Sequence, residues 1–486
     1  MLTPLHDHLE SPRGRGRLAG AAHTGTAGGA ACGDLVRVSL RLDGDRVAEA
    51  GFDALGCGAL QAAGSAVVEL VQGEHALDAA RISAHVVADA LGGLSPGKLH
   101  AADLAADALH RALGRAAADG AIRLEPSERR TLVAMSGGVD SAVAAHLALE
   151  RGDEVVAVTL ELWADPAGDG TASCCSPQAV SGARALAHRM GVPHLTLDLR
   201  EEFRRHVIDD FVDEHAAGRT PNPCVRCNGL VRFDRMLDLA QALGAARLAT
   251  GHYARVSGEG LVRAAADERK DQSYMLARLA PDALDRLWFP LGRLTKHEVR
   301  ERARAAGLPV ADKPESQDLC FLAGMAGDAF LQRHGRPAPA GEIVDESGAA
   351  VGRHEGQHRF TVGQRRGIGI AATEPLYVLR KDPRTNRVTV GPRRALATRR
   401  VRLAPATLLR DGAGVDRVKL RYRSRPVACH VDGEAAPGTH EGLTLTLANA
   451  VEGVAPGQTA CLLRGDRVLG WATIAGGDHA EVDSHA

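Results

Sequence analysis

The 486-residue chain contains no run of 18 or more apolar residues, so no ordinary membrane-spanning helix is expected. Its first residues, MLTPLHDHLESPRGRGR, lack the apolar core that a secretory signal requires, and a cytoplasmic protein is expected. Cysteine is scarce. Nine in 486 residues are too few for a secreted disulfide scaffold, and in a reducing compartment their spacing reports metal, redox or nucleophilic chemistry. Net charge is nearly absent too, at −1, which would exclude an electrostatic partner if charge were evenly spread. It is not. From Val351 to His430 stand 19 Arg and Lys against 5 Asp and Glu, a local +14 that reads as a polyanion footprint. Internal repeats and long low-complexity tails are missing as well.

What is present suffices for several cores. Hydrophobic residues make up 45% and charged residues 24%, both ordinary for soluble globular proteins, and the length predicts roughly three or four domains. The first 30 residues read as poorly ordered. Leu35 to Leu42 and Val47 to Ala54 alternate as a hairpin around Asp43-Gly44-Asp45, and Ala59 to Leu70 and Ala101 to Leu113 read as helices. This small α+β unit is assigned residues 1–122. Beyond the charged stretch Glu125 to Arg130, strands at Thr131 to Met135, Glu154 to Leu160, His194 to Asp198 and Arg247 to Thr250 alternate with helices at Val139 to Glu150, Gln178 to Met190 and Lys296 to Ala306. Such alternation predicts an α/β domain, a doubly wound parallel sheet over 128–328. Because the series begins afresh at Thr131, it is expected to fold without residues 1–120. Short β-like runs after Arg336-Pro-Ala-Pro-Ala340, such as Leu376 to Leu379 and Arg387 to Val390, predict two small β modules, at 335–395 and 396–486, the last a β-barrel.

The strand ending at Met135 runs into Ser136-Gly-Gly-Val-Asp-Ser141 and then a helix. A Gly-rich turn at a strand's carboxyl end and a helix N-terminus is an anion cradle, in which Gly137 and Gly138 let backbone N–H groups approach a phosphate and Ser136 and Ser141 add hydroxyls. It is not a Walker loop, since no Gly-Lys-Ser/Thr follows.

SGGVDS after a strand resembles the pyrophosphate loop of the ATP pyrophosphatases. Further motifs follow in order: Thr220-Pro-Asn-Pro-Cys-Val-Arg-Cys-Asn228, Thr250-Gly-His-Tyr253, Lys270-Asp-Gln-Ser-Tyr274, Glu315-Ser-Gln-Asp-Leu-Cys320 and Gly363-Gln-Arg-Arg-Gly367. Together they resemble the tRNA-specific 2-thiouridylases over about residues 130 to 475. The resemblance implies that ATP, with Mg2+, adenylates the C2 oxygen of the wobble uridine so that sulfur can displace AMP. It implies ATP contacts at Ala134, Met135, Ser136, Gly137, Gly138, Val139, Asp140, Ser141, Leu160 and Gly251; Leu160 stands where Met is usual. It implies tRNA contacts at Asn222, Pro223, Cys224, His252, Lys270, Asp271, Gln272, Arg421, Tyr422 and Gln458, and a tRNA-binding role for the final barrel. Cys320 matches the family's persulfide carrier and Cys227 its nucleophile, with a Cys227–Cys320 disulfide formed in turnover and a desulfurase or sulfur carrier as donor. Structural zinc is the competing reading of Cys224 and Cys227, although the adjacent Cys174 and Cys175 do not give a second pair of similar spacing. Many family members carry Asp at the position of Cys224. Here Cys224, Cys227 and Cys320 are three thiols that would suit an iron-sulfur cluster.

The first 120 residues resemble U-type iron-sulfur scaffold proteins through Ala31-Cys-Gly-Asp34, Leu55-Gly-Cys-Gly58 and Lys98-Leu-His-Ala101. Cys32, Asp34, Cys57 and His100 match that family's metal ligands, suited to zinc or an iron-sulfur cluster. The scaffold's third cysteine is Ala101 here, which implies a degenerate site or a relic kept for docking or stability. Two other functions remain open: an iron-sulfur carrier, for which the loop and the basic block would be idle, and an amidating adenylase, which gives no reason for Cys227 and Cys320.

Overall fold

A computed structural model describes residues 3–18, 20, 22–29, 33–164, 176–315, 319–322, 324–335 and 339–478. Two compact units are present, one of residues 1–201, 232–252 and 286–323, the other of 202–231, 253–285 and 324–486. Among the described residues no helix is long and apolar enough to cross a membrane.

In the first unit a three-stranded antiparallel sheet, in the order His23–Gly28, Leu35–Asp43, Arg46–Leu55, contains the expected hairpin, turning at Gly44 with φ +60°. The expectation of disorder before residue 30 is overturned by helix Pro4–Glu10 and strand His23–Gly28. That strand, HTGTAG, has no apolar alternation to read. Its Gly25 lets the backbone lie directly against helix Leu99–Ala118. The same helix is rich in fully buried alanines, and at Gly114 a Cβ would come within 1.9 Å of the Thr196 carbonyl oxygen. Small residues thus bring the helix onto strand His194–Asp198, an edge of the next sheet.

That sheet is parallel, as expected, with strands ordered Leu287–Trp288, Ala245–Thr250, Ser127–Ala134, Glu154–Glu161, His194–Asp198. Helices Val139–Glu150, Pro177–Arg189 and Lys296–Ala305 accompany it. Strand Ser127–Ala134 begins inside the stretch read as a linker, because Arg130 pairs with Glu154 and Ser127 with Ala245. The chain winds outward from this strand through the next two, then returns to its other side at Ala245–Thr250. The strand order reverses at the carboxyl end of Ser127–Ala134, where ligands bind in open α/β sheets.

Three histidines meet under the long helix. His110 lies 2.8 Å from the His194 carbonyl and 2.9 Å from that of Ile82, and His188 lies 3.1 Å from that of Ala80. Burial, helped by neighbouring His188 and Arg184, lowers His110 to about 3; burial likewise lowers His188 to about 4 and His194 well below its ordinary value. Unfolded, these rings take up protons near pH 6.5. The unfolded state therefore binds more protons below that pH, and stability must fall as pH falls. The urea midpoint should be lower at pH 5 than at pH 7.5; an equal or higher midpoint at pH 5 would refute this.

In the second unit, strands Ala350–His354, Gly341–Val344, Arg387–Gly391 and Tyr377–Asp382 form one small sheet. Six further strands close a barrel: Ala397–Leu408 pairs with Leu443–Glu452 on one side and with Arg467–Asp478 on the other, and Val427–Val431, Arg417–Lys419 and Thr459–Arg464 complete the ring. Its interior is filled by Val401, Leu403, Val418, Leu445, Leu462 and Ile474, all at most 1% exposed. The hairpin Ala254–Val256 and Val262–Ala264 joins the barrel's last strand at Arg467 and Arg263.

Candidate active site

Strand Ser127–Ala134 delivers Met135 and Ser136 to a turn at Gly137, where φ is +69°, a conformation that favours glycine. Gly138 caps helix Val139–Glu150. The turn is closed by its own serines: Ser136 N–H donates to Ser141 Oγ at 3.1 Å, and Ser141 Oγ donates to the Gly138 carbonyl at 3.1 Å. Ala134 stands between Val158 and Thr250 in register, so the neighbouring strands bring Leu160 and Gly251 to the same end of the sheet. A Cβ on Gly251 would lie 2.8 Å from the Asp140 carbonyl carbon and the Ser141 nitrogen, which accounts for glycine there. The residues expected to hold ATP are thus gathered from three strand ends in one unit. Beneath them Thr159 Oγ1 donates to the Met135 carbonyl at 2.9 Å.

Sequence reasoning missed two lysines beside this turn. Lys296 Nζ lies 2.7 and 2.8 Å from the Asp140 carboxylate oxygens and 2.7 Å from Glu315, and Lys313 Nζ donates to the Gly137 carbonyl at 2.9 Å. The one local signal was Thr295-x-x-Glu298, a capping box that opens helix Lys296–Ala305.

In the second unit, Asn222 caps the short helix Pro223–Cys227, its Oδ1 accepting from Val225 N–H at 3.2 Å, with Pro223 at the first helical position. Cys224 and Cys227 stand three residues apart on it; Cys227 is buried and Cys224 partly so. Gln458 holds the segment that leads in, donating to the carbonyls of Thr220 at 2.8 Å and Pro221 at 3.3 Å. Asp271 accepts from Ala265 and Ser273 N–H, both at 3.1 Å, and lies 3.6 Å from Lys419. Gln272 Oε1 accepts from Tyr253 N–H at 2.9 Å. Arg421 donates to the carbonyls of Val362 and Gly453, and Tyr422 packs at 6.1 Å from buried Tyr274. Asp271, Gln272, Arg421 and Gln458 therefore order the loops around Lys270 and the Pro223–Cys227 helix.

His252 belongs to the first unit, between the rings of Phe233 and Phe289 at 5.6 and 6.3 Å. Burial, then Arg232, lowers it to about 3, so it is neutral at physiological pH. Cys320 is also in the first unit, in the turn 319–322, while Ser316, Gln317 and Asp318 of its motif, and Cys174 and Cys175, lie outside the described residues. Cys320, like Cys224, is partly buried.

At the N-terminal end Asp34, Cys57 and His100 converge, one ligand atom of each lying within 4.8 Å of the others. His100 Nε2 is 3.1 Å from Asp34 Oδ2, and Cys57 Sγ is 3.7 Å from it. Thiolate, imidazole and carboxylate together suit zinc or iron. Cys32, the fourth expected ligand, lies outside the described residues, and Ala101 is fully buried.

Four sequence families match in succession: NifU-like N terminal domain (residues 3–118), tRNA methyl transferase HUP domain (129–324), tRNA methyl transferase PRC-barrel domain (328–392) and Aminomethyltransferase beta-barrel domain (404–474). A protein of Rubrobacter xylanophilus described as bifunctional protein NifU/MnmA is 46% identical over 487 residues, 96% of this chain and 97% of its own. A tRNA-specific 2-thiouridylase MnmA of Geobacter metallireducens is 43% identical over 72% of this chain and 98% of its own. Another, from Rhizorhabdus wittichii, is 47% identical over 71% and 91%.

Proposed function

Because the chain belongs to the tRNA-specific 2-thiouridylase family, here preceded by a NifU-like domain, we propose that it performs ATP-dependent 2-thiolation of the wobble uridine of tRNA. The observation that carries this reading is the Ser136–Ser141 cradle at the point where the strand order reverses, with Leu160 and Gly251 beside it. ATP bound there is attacked at its α-phosphorus by the uridine C2 oxygen, and pyrophosphate leaves. The C2 oxygen, a poor leaving group, now departs as part of AMP when sulfur attacks. In the relay, Cys227 thiolate attacks the inner sulfur of a Cys320 persulfide, hydrosulfide is released, and a Cys227–Cys320 disulfide remains for a thiol reductant. A desulfurase or sulfur carrier reloads Cys320. Reaching C2 of an anticodon base requires unstacking it, a task assigned to the loops around Asn222 and Lys270. tRNA-stimulated ATP–pyrophosphate exchange tests the adenylation half: its absence would favour an iron-sulfur carrier, and AMP release that depends on ammonia and not on tRNA would favour an amidating adenylase.

A second reading is favoured by Cys224, which shares the Pro223–Cys227 helix with Cys227. Cys224, Cys227 and Cys320 would be the thiolate ligands of a [4Fe-4S] cluster, which when bound offers an open iron for hydrosulfide. The NifU-like domain supports it through Asp34, Cys57 and His100, which suit one metal ion. Anaerobically purified Cys224→Asp decides between them: full thiolation without iron keeps the relay, and joint loss of cluster absorbance and activity selects the cluster.

A further inference from the structure

Phosphate loops of the Walker type carry their own lysine, whereas Ser136–Ser141 has none and two ammonium groups reach it from elsewhere in the same unit. Lys296 is the first residue of a helix whose start is fixed by the Thr295–Glu298 capping box, and its side chain is only 12% exposed between Asp140 and Glu315. Lys313 donates to the Gly137 carbonyl. We propose that Lys296 and Lys313 complete the phosphate site, Lys296 as the cation facing the departing pyrophosphate and Lys313 as the residue that sets the loop's backbone. The proposal rests on the reading of the loop as the ATP site.

The argument for Lys313 is geometric. In a planar trans peptide the C=O and the N–H point in opposite directions. Holding the Gly137 carbonyl on the Lys313 side turns the Gly138 N–H to the opposite side, at the N-cap of helix Val139–Glu150, where the helix dipole favours an anion. Lys313 is thus a positioning residue that acts through one peptide unit.

The argument for Lys296 is electrostatic. Adenylation forms a bond from the uridine C2 oxygen to the α-phosphorus and breaks the bond from that phosphorus to the bridging oxygen, whose electron pair leaves with pyrophosphate. The charge that develops there is stabilised by a cation already in place. A lysine stem is otherwise mobile; the two carboxylates hold this one before nucleotide arrives.

Full-length Lys296→Met, Lys296→Arg and Lys313→Met, compared with wild type in tRNA-stimulated ATP–pyrophosphate exchange and in calorimetric ATP binding, test the pair. Lys296→Met should lower kcat by roughly a hundredfold with the KM for tRNA unchanged, and Lys296→Arg should recover part of it. Lys313→Met should raise the KM for ATP by about tenfold, in step with weaker calorimetric binding. Should Lys296→Met leave its carboxylates too poorly balanced to fold, Lys296→Met/Glu315→Gln carries the same measurement. Folded variants with wild-type kinetics overturn the lysine assignment alone. A wild type that neither binds ATP nor exchanges pyrophosphate overturns the ATP reading beneath it.

Discussion

Cys227→Ser and Cys320→Ser should each abolish thiolation, by at least about a thousandfold, while tRNA-dependent AMP formation persists. A serine hydroxyl cannot carry a persulfide, and at neutral pH it is not ionised to attack one, whereas a thiol is partly thiolate. In the proposed mechanism adenylation uses neither group, since the residues assigned to it are the loop Ser136–Ser141 and the lysines Lys296 and Lys313 that reach it. The substitution is nearly isosteric at buried Cys227, so loss of fold is not the expected cause. Quantifying AMP and 2-thiouridine in the same reaction separates the two halves. Full thiolation by either variant removes that cysteine from the mechanism, and parallel loss of AMP would show that the thiol acts before sulfur transfer.

Arg184→Met should destabilise the first unit by about 3–5 kcal/mol, the cost of leaving buried charges unpaired. Arg184 is 3% exposed and pairs with Asp103 at 2.8 Å and with Asp107, both on helix Leu99–Ala118. From the same helix Arg111 reaches Asp107 at 2.9 Å and Glu161 at 2.6 Å. Burial alone would raise the Asp107 carboxyl; Arg184 and Arg111 overcome it and hold it below its ordinary range, while at Glu161 burial outweighs Arg111 and the shift is upward. The helix is therefore a wall of the parallel sheet as well as the carrier of His100. Against the expectation that the sheet folds without residues 1–120, these contacts predict a destabilised truncation, because deletion strands Arg184 and Glu161 and bares the face that meets Gly114. Chemical denaturation of Arg184→Met and solubility of the truncated chain measure both effects. An unchanged midpoint and a soluble, cooperatively melting truncation would contradict them.

The parallel sheet and the cradle were legible because their signals are local: apolar runs at strand and helix lengths, and a glycine turn between them. Ala245–Thr250 and His194–Asp198 were read within two residues of their observed ends. Leu287–Trp288 escaped because two residues carry no period. The network of Asp103, Asp107, Arg111, Glu161 and Arg184 escaped for another reason, since its members are separated by up to 81 residues and each alone looks like a solvated surface charge. Lys296 and Lys313 were hidden similarly, 156 and 176 residues from the loop positions they touch. Asp271, Gln272 and Gln458 were found by motif, but only the fold shows that their side chains bond inside the protein.

Liquid chromatography and mass spectrometry of nucleosides from the tRNA of cells lacking this chain test the central claim most directly. The account predicts that 2-thiouridine derivatives disappear and return with the wild-type chain but not with Cys227→Ser. Undiminished 2-thiouridine in the deleted cells would contradict it.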